Sequence, residues 1–382
     1  MRIRGPRRHR LTPVNLLHVL GETIGARQAG TPEAERAADA IATAFLELGL
    51  EPRFEEFPLL GYDAEEPELI VDGERWDAGP CVYSHPTRDG GVSGTLKRIG
   101  EQVGLSGFPP TAVWAIVDDR GADLARVYEN PIRGGAIPFV SFGPVLTVGP
   151  AVFVSTDDAL RLRDGASATL RTGGRFVSGR IERNVVAELR GASEEAVVVS
   201  AHYDSVWRGP GVIDNASGVE GVRRIAERLV GKTHPRSVIF IAFAAEEIGL
   251  VGSHHLVWDW KLRGKLDRVV GVVNLDCIAH GDKLQLMVGP DELREIALAQ
   301  ISRLGLDERY ESTVIGPVTG TDHFYFAQEQ IPAVSVLHFP YEEYHLPSER
   351  MELVDDQKLE DAVDLATALV EHQLAEPAQK TT

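Results

Sequence analysis

Acidic residues and histidines recur in this sequence just after runs of Val, Ile, Ala and Phe, which are typical of buried strands. The residues that end such a run, or lie in the loop beyond it, are His202, Asp204, Asp214, Glu246, Glu247, Asp276 and His345. Because open α/β folds keep their chemistry at the carboxyl edge of a parallel sheet, we expect these side chains to gather at one edge. Imidazoles and carboxylates in one place predict a metal site.

A subset of these residues, two imidazoles and three carboxylates, suits two divalent ions. Its members are His202, Asp214, Glu247, Asp276 and His345. Zinc accepts nitrogen and carboxylate ligands, so one histidine and one carboxylate can serve each ion while the third carboxylate is shared as a bridge. Two ions about 3.5–4 Å apart can activate water and polarise a carbonyl group at the same time.

Glu246 and Glu247 are adjacent, and neighbouring side chains at a strand end point in different directions. One of them can therefore ligate metal while the other accepts the proton of the attacking water as a general base. Asp204 lies two residues after His202. It is placed to accept an N–H of the His202 ring, which would orient that ligand.

Each motif alone also has an ordinary structural explanation. A His-x-Asp or Glu-Glu pair usually decorates a surface, Asp214 could be a helix N-cap, and Asp276 could be an acid at a strand end. The functional interpretation is favoured because all of them follow consecutive predicted strands in one order. Several other histidines lack this context and are expected to be structural or solvated: His254, His255, His280, His323 and His338.

The elements that would position these residues alternate between strands and helices after Gly179, which predicts an α/β fold: a mostly parallel mixed sheet between two helical layers. Thr31 and Pro32 predict an earlier helix start, with Thr31 as the N-cap. Between residues 62 and 179, short strands separated by Gly and Pro turns predict a β-rich module. We therefore predict a discontinuous catalytic domain, 1–61 and 180–382, with a β-rich insert at 62–179.

Composition narrows the possible partners of this 382-residue chain. Its net charge of -18 argues against a nucleic-acid partner, which would need clustered Lys and Arg. The two cysteines, Cys81 and Cys277, are too few for a disulfide framework and are expected in the core. The first ten residues are basic, but the apolar run at 16–20 is too short for an export signal, and no window of about 18 apolar residues suggests a membrane span. The expected location is the cytoplasm.

These residues resemble those of the co-catalytic di-zinc aminopeptidases of the bacterial leucyl and Streptomyces type, a family that also contains glutamate carboxypeptidase II. The matching segments are 202–205, 214–218, 245–253, 274–276, 321–326 and 344–345. The resemblance implies two Zn²⁺ ions, or other divalent ions, with the following assignment: His202 and Asp276 on one, Glu247 and His345 on the other, and Asp214 bridging. It also implies that Glu246 is the general base and that Tyr344 helps to hold the developing oxyanion.

Two further features bear on this resemblance, one a weaker match and one a departure. The β-rich insert resembles a protease-associated domain, a match that rests on its position and its Gly-punctuated strands. The family often carries an aspartate a few residues after the final histidine, whereas His345 is followed here by Leu-Pro-Ser-Glu-Arg at 346–350. This departure concerns the residues around the ligands and leaves the ligands themselves in place.

The predicted activity is hydrolysis of the N-terminal peptide bond of a peptide, whose free amine would be held by Glu246 and Asp276. A di-zinc carboxypeptidase or dipeptidase is the alternative, and it would need a cation such as Arg208 to bind a C-terminal carboxylate. A catalytically inactive binding scaffold, as in the transferrin receptor, is less consistent with an intact ligand set. Side-chain preference and oligomeric state do not follow from the sequence.

Overall fold

The computed structural model describes residues 15–102, 111–130, 149–317 and 319–375, so the basic first ten residues lie outside it. The described strands are β1 (Arg53–Asp63), β2 (Glu68–Val71), β3 (Glu74–Trp76), β4 (Gly79–Pro80), β5 (Val92–Gln102), β6 (Thr111–Val117), β7 (Asp123–Asn130), β8 (Ala151–Ser155), β9 (Ser167–Arg171), β10 (Arg175–Leu189), β11 (Ala196–His202), β12 (Ser237–Phe243), β13 (Val269–Leu275), β14 (Lys283–Gly289), β15 (Ser312–Ile315) and β16 (Ala333–Phe339).

The described helices are α1 (Leu16–His18), α2 (Pro32–Glu47), α3 (Thr156–Ala159), α4 (Gly218–Leu229), α5 (Val251–Leu262), α6 (Asp291–Arg303), α7 (Leu306–Arg309), α8 (His323–Gln328) and α9 (Asp356–Ala375). Further π and 3-10 segments span Val19–Ile24, Val212–Ser217, Leu266–Arg268 and Met351–Leu353. Helix α2 begins as predicted: the Thr31 hydroxyl accepts the Ala34 N–H at 3.3 Å, and Pro32 is the first helical residue. None of the described helices has the length and apolarity needed to cross a bilayer.

One sheet carries the predicted site, and its strand order is β1-β10-β12-β11-β13-β16-β14-β15. The four central strands, β12, β11, β13 and β16, run parallel. The outer pairs β1–β10, β10–β12 and β14–β16 are antiparallel. The predicted α/β fold is confirmed, and its sheet is mixed.

Helices cover both faces of this sheet. Alternate side chains of β11 enter different cores: Val197 and Val199 pack with α2, α4 and α9, whereas Val198 packs with α5 and α8. This is the period-2 alternation of a strand with both faces covered. All seven residues of β11 are therefore buried, as are all seven of β12. Continuous apolar runs in the sequence reflect this three-layer packing.

The second sheet has the order β3-β2-β9-β5-β6-β7-β8-β4, and all its strands lie between Glu68 and Arg171. It has a core of its own that includes Trp114, Ile116 and Val127. The β1–β10 ladder of the first sheet continues as far as the Asp63–Arg175 pair, so it runs through both predicted domain boundaries. The division at 61/62 and 179/180 stays a prediction. Both cysteines are buried and form no disulfide with each other, as expected of core residues.

Candidate metal centre

The first half of the centre lies at the carboxyl ends of two neighbouring parallel strands, β11 and β13. His202 is the last residue of β11, and Asp276 directly follows β13. The His202 Nε2 lies 3.0 Å from Asp214 Oδ1 and 3.5 Å from Asp276 Oδ1. Asp214 comes from the π segment between β11 and α4. The structure thus brings one imidazole and two carboxylates together at this edge of the sheet.

The second half shares Asp214 with the first. The His345 Nε2 lies 2.9 Å from Asp214 Oδ2 and 3.2 Å from Glu247 Oε2. Asp214 therefore presents one carboxylate oxygen to each histidine. The side chains of all five residues are at most 8% exposed. This is the arrangement that a carboxylate shared between two ligand groups would have.

Several polar atoms of the centre are buried without a hydrogen-bond partner among the described residues: Nδ1 of His202 and of His345, Oδ1 of Asp214 and Oε1 of Glu247. His202 Nε2 lies close to Asp214 Oδ1, but the two atoms are not aligned as a hydrogen bond. This oxygen therefore has no hydrogen-bond partner among the described residues. A buried donor or acceptor that makes no hydrogen bond destabilises the folded protein. A cation bound by the Asp214 and Glu247 oxygens would satisfy these carboxylates, and the nitrogen–carboxylate donor set of the centre suits zinc.

Potential ligand atoms from three residues lie within 4.8 Å of one another in several places. One such group comes from His202, Glu246 and Asp276, and another from His202, Asp214 and Glu247. A third such group contains Asp214, Asp276 and Cys277. The described residues therefore supply enough convergent donors for a metal centre. Their chemistry fits the ion that the sequence predicted.

Burial dominates the electrostatics of the acids. It raises the pKa of Glu246 well above its ordinary value, the pKa of Glu247 to about 7, and the pKa of Asp276. Burial also raises the pKa of Asp214, but its contacts with the two histidines outweigh this and lower the pKa below the ordinary value. The centre contains more carboxylates than positively charged groups. A divalent cation would supply the missing positive charge.

The histidines respond in the opposite sense. Burial by itself lowers the pKa of His202, yet the charges of Glu246 and Asp276 outweigh it and raise that pKa well above the ordinary value. Likewise burial lowers the pKa of His345, but Glu247 and Asp214 raise it to about 10. The acidic surroundings therefore favour the cationic form of both rings when no cation is bound, and ligation would require its loss.

The two adjacent glutamates differ in their surroundings. Glu247 contacts His345, whereas Glu246 Oε2 is 3.9 Å from His202 Nε2 and its side chain is 11% exposed. The backbone N–H groups of both donate to Asp204, at 3.0 Å for Glu246 and 3.2 Å for Glu247. Asp204 thereby fixes the turn that presents the pair.

Asp204 was predicted to orient His202. Its Oδ1 lies 3.6 Å from His202 Nδ1, beyond hydrogen-bond distance, so the contact is an ion-pair separation. Its hydrogen bonds go to the turn after β12 instead. The loops of β11 and β12 are joined through this one buried carboxylate.

The chain turns sharply beside three functional positions. Ala245 (φ 58°), Cys277 (φ 50°) and His345 itself (φ 61°) adopt the left-handed region. That region costs a non-glycine residue about 1–2 kcal/mol, and such residues cluster at functional sites. These turns start or end the short segments that carry Glu246, Asp276 and His345.

Tyr344 stacks on the ring of His345, with centroids 3.8 Å apart and an interplanar angle of 25°. The structure thus places Tyr344 at the centre, next to a predicted ligand. Arg208, the residue considered for binding a C-terminal carboxylate, forms an ion pair with Glu66 and lies over the Trp207 ring at 4.2 Å. Its charge is engaged by the protein itself.

Two further buried acids lie near the centre and are not among the residues predicted from the sequence. Glu349 accepts the backbone N–H of Asp214 at 3.1 Å, and its only signal in the sequence was its place in the departing segment after His345. Asp322 is fully buried, and burial raises its pKa to about 7. Its neighbour His323 was expected to be structural; it is buried, and burial lowers its pKa to about 4.

Comparisons with known proteins identify related peptidases. Residues 184–370 match the model described as Peptidase family M28. Aminopeptidase YwaD of Bacillus subtilis is 26% identical over 379 residues, which covers 92% of this chain and 82% of that protein. The probable lipoprotein aminopeptidase LpqL of Mycobacterium tuberculosis is 28% identical over 255 residues, 61% of this chain and 51% of that protein. This chain therefore matches about half the length of the latter relative.

Solved structures share the fold over nearly the whole chain. BSAP, a zinc aminopeptidase from Bacillus subtilis, superposes with a TM-score of 0.72 at 23% identity, covering 94% of this chain and 93% of that one. A Peptidase M28 precursor from Shewanella amazonensis superposes with a TM-score of 0.76 at 17% identity, covering 95% and 93%. At such identities the likeness establishes the fold.

Proposed function

The chain belongs to peptidase family M28 through its segment 184–370, and on this premise we propose that it is a zinc-dependent aminopeptidase that hydrolyses the N-terminal bond of peptides. The observation that carries the proposal is the position of Asp214, which offers one oxygen to His202 and the other to His345. Aminopeptidase YwaD, similar over 92% of the chain, supports the activity.

These contacts support a proposed ligand assignment. His202 and Asp276 would hold one zinc ion, Glu247 and His345 a second, and Asp214 would bridge the two. Other divalent ions fit the same donor set. When bound, zinc supplies a Lewis acid that polarises the scissile carbonyl and makes water nucleophilic at neutral pH.

Glu246 is the proposed general base. It is the more exposed acid of the adjacent pair, and it makes no contact with His345 of the kind that engages Glu247. Its carboxylate accepts a proton from the attacking water and delivers that proton to the leaving amine. Asp204 holds the Glu246 backbone and so limits its movement. The Tyr344 hydroxyl donates to the oxygen on which negative charge develops.

The acidity of the site favours the amino end of a peptide. A free α-ammonium group would be attracted by Glu246 and Asp276, whose carboxylates lie on the His202 side of the centre. A carboxypeptidase needs a free cation instead, and Arg208 is paired with Glu66. The intact ligand set argues against an inactive binding scaffold.

The β-rich segment 62–179 is proposed to be a protease-associated-like module that shapes the approach of the peptide to the centre. Its strands form a sheet separate from that of the metal centre, and its own core includes Trp114 and Val127. The ion pair between Arg208 and Glu66 joins this part of the chain to the loop that leads from His202 to Asp214. We assign it no catalytic residue.

A substrate comparison tests the activity. An aminoacyl p-nitroanilide with a free amine should be hydrolysed, its N-acetylated form should not, and a chelator should abolish turnover until zinc is restored. A peptide with an amidated C-terminus should be cleaved as fast as one with a free carboxylate.

Arg208→Ala provides the matched control for the rival activity. An aminopeptidase should keep its KM for the free-amine substrate in this variant. Cleavage of the N-acetylated peptide from its C-terminus, together with a raised KM in Arg208→Ala, would replace the proposal with a carboxypeptidase. A folded protein that holds no zinc and hydrolyses neither substrate would refute both.

A further inference from the structure

We propose that Glu349 is a positioning residue that holds Asp214 in place between the two histidines; this rests on the proposed function. Glu349 Oε1 accepts two backbone N–H groups, that of Ile213 at 2.9 Å and that of Asp214 at 3.1 Å. Its other oxygen accepts the Tyr341 hydroxyl at 2.8 Å. The residue is 2% exposed, so these bonds are made away from water.

The segment that Glu349 binds lacks regular backbone support. Within Val212–Ser217, Asp214 (φ -107°, ψ 90°) and Asn215 (φ -140°, ψ 41°) are not helical. Buried backbone N–H groups need an acceptor, and a non-helical segment cannot supply one through its own ladder. The Glu349 carboxylate supplies it at the residue whose side chain both histidines contact.

The anchor and the second histidine come from one short stretch. Glu349 stands four residues after His345, whose Nε2 is 2.9 Å from Asp214 Oδ2. This stretch therefore contacts Asp214 twice, once through the backbone N–H and once through the carboxylate. The positions of the shared carboxylate and of His345 are coupled as a result. A shift of the anchor would misplace the one carboxylate on which both ligand groups depend.

The carboxylate of Glu349 matters for the strength of these hydrogen bonds. A carboxylate is a stronger acceptor than an amide, so glutamate is expected to hold the Ile213 and Asp214 N–H groups more firmly than glutamine would. An amide at the same position would keep an oxygen acceptor and lose the charge. Zinc affinity is thus expected to fall in the order Glu349, Glu349→Gln, Glu349→Met, the last having similar length and no strong acceptor.

Asp361 offers a matched control. It is also a buried acid that accepts a tyrosine hydroxyl, from Tyr310 at 2.7 Å, and it is 3% exposed. Its other hydrogen-bond partners include Arg309 and Gln357, neither of which is a proposed ligand. Asp361→Asn therefore removes a comparable buried charge without touching the segment that carries Asp214.

The experiment measures two quantities on the full chain: amide hydrogen exchange over Val212–Ser217 in metal-free protein, and zinc affinity by competition with a chelator. Glu349→Met should speed exchange at residues 213 and 214 and weaken zinc binding by about 10–100-fold. Glu349→Gln should restore most of the exchange protection, which a loss of general stability would not explain. Asp361→Asn should change neither quantity.

Unchanged exchange and unchanged zinc affinity in Glu349→Met would overturn the inference, as would equal losses in Asp361→Asn. If the unmodified protein binds no zinc, the proposed function fails, and the exchange measurement alone still decides whether Glu349 positions Asp214. The two failures are therefore distinguishable.

Discussion

Two buried clusters of charged residues in this molecule satisfy their charges in different ways. On α4, the Glu220 carboxylate meets Arg223 and Arg224, each at 2.9 Å, and accepts the Leu16 N–H at 3.0 Å. At the sheet edge, Asp214 and Glu247 each keep a buried oxygen without a hydrogen-bond partner among the described residues. The first cluster is complete within the protein, whereas the proposed function has a cation complete the second.

The difference shows how a structural ion pair is told from a ligand set. Both clusters contain a buried carboxylate, so the burial of an acid alone does not separate them. What separates them is whether each carboxylate oxygen has a hydrogen-bond partner within the described part of the chain. A buried charge without one is expensive, and it persists where a ligand compensates it.

The largest effect is expected from Glu246→Gln, which removes the proposed base and keeps the shape of the site. The turnover number should fall by about 10²–10⁴-fold, because proton transfer to a positioned carboxylate is lost. Zinc content, measured by elemental analysis of the purified protein, should not change. Turnover close to that of the unmodified enzyme would show that Glu246 is not the base.

His345→Ala should remove one of the two proposed zinc ions, because Glu247 alone then faces Asp214 in the second half of the centre. Elemental analysis should give about one zinc per chain instead of two after dialysis against a weak chelator. His338→Phe is the control, since it replaces a buried histidine outside the centre. Full zinc occupancy in His345→Ala would exclude His345 as a ligand.

Glu220→Gln should show the opposite pattern. Losing this carboxylate leaves the buried Arg223 with less compensation, so the free energy of unfolding should fall by about 3 kcal/mol. Zinc content and turnover at 25 °C should stay the same. Urea unfolding followed by circular dichroism measures the loss. A drop in zinc content at full folding would mean that the two clusters are not independent.

The smallest effect concerns pH. His338 is buried against Tyr310, and burial lowers its pKa from 6.5 to about 4. Between these values the unfolded chain binds a proton that the folded chain does not, so stability falls as the pH drops from about 6.5 towards 4. At pH 5 this titration lowers the free energy of unfolding by about 2 kcal/mol at most, relative to neutral pH.

His338→Phe should remove this contribution and make the loss of stability with acid less steep. The measurement is the free energy of unfolding of both proteins at pH 7 and pH 5. The slope with pH is compared, so a constant change in packing cancels. Identical slopes would show that His338 titrates normally in the folded state.

Much of the candidate site followed from local sequence patterns. The runs at 196–201, 237–243 and 269–275 each became a buried strand, because an apolar run with both faces covered has few alternatives. The residues after those runs then share an edge. For that reason the candidate ligand residues could be named from the sequence. Their roles stay predictions.

The sequence by itself therefore determined the central parallel strands, the edge at which they end, the α2 start at Thr31 and Pro32, and the residues expected to meet at that edge. The tertiary structure alone decided what holds them. Asp204 binds the Glu246 and Glu247 backbone across 42 and 43 residues, and Glu349 binds Asp214 across 135. Periodicity and capping are local properties of a chain, whereas the partner of a buried hydrogen bond depends on the path of distant loops.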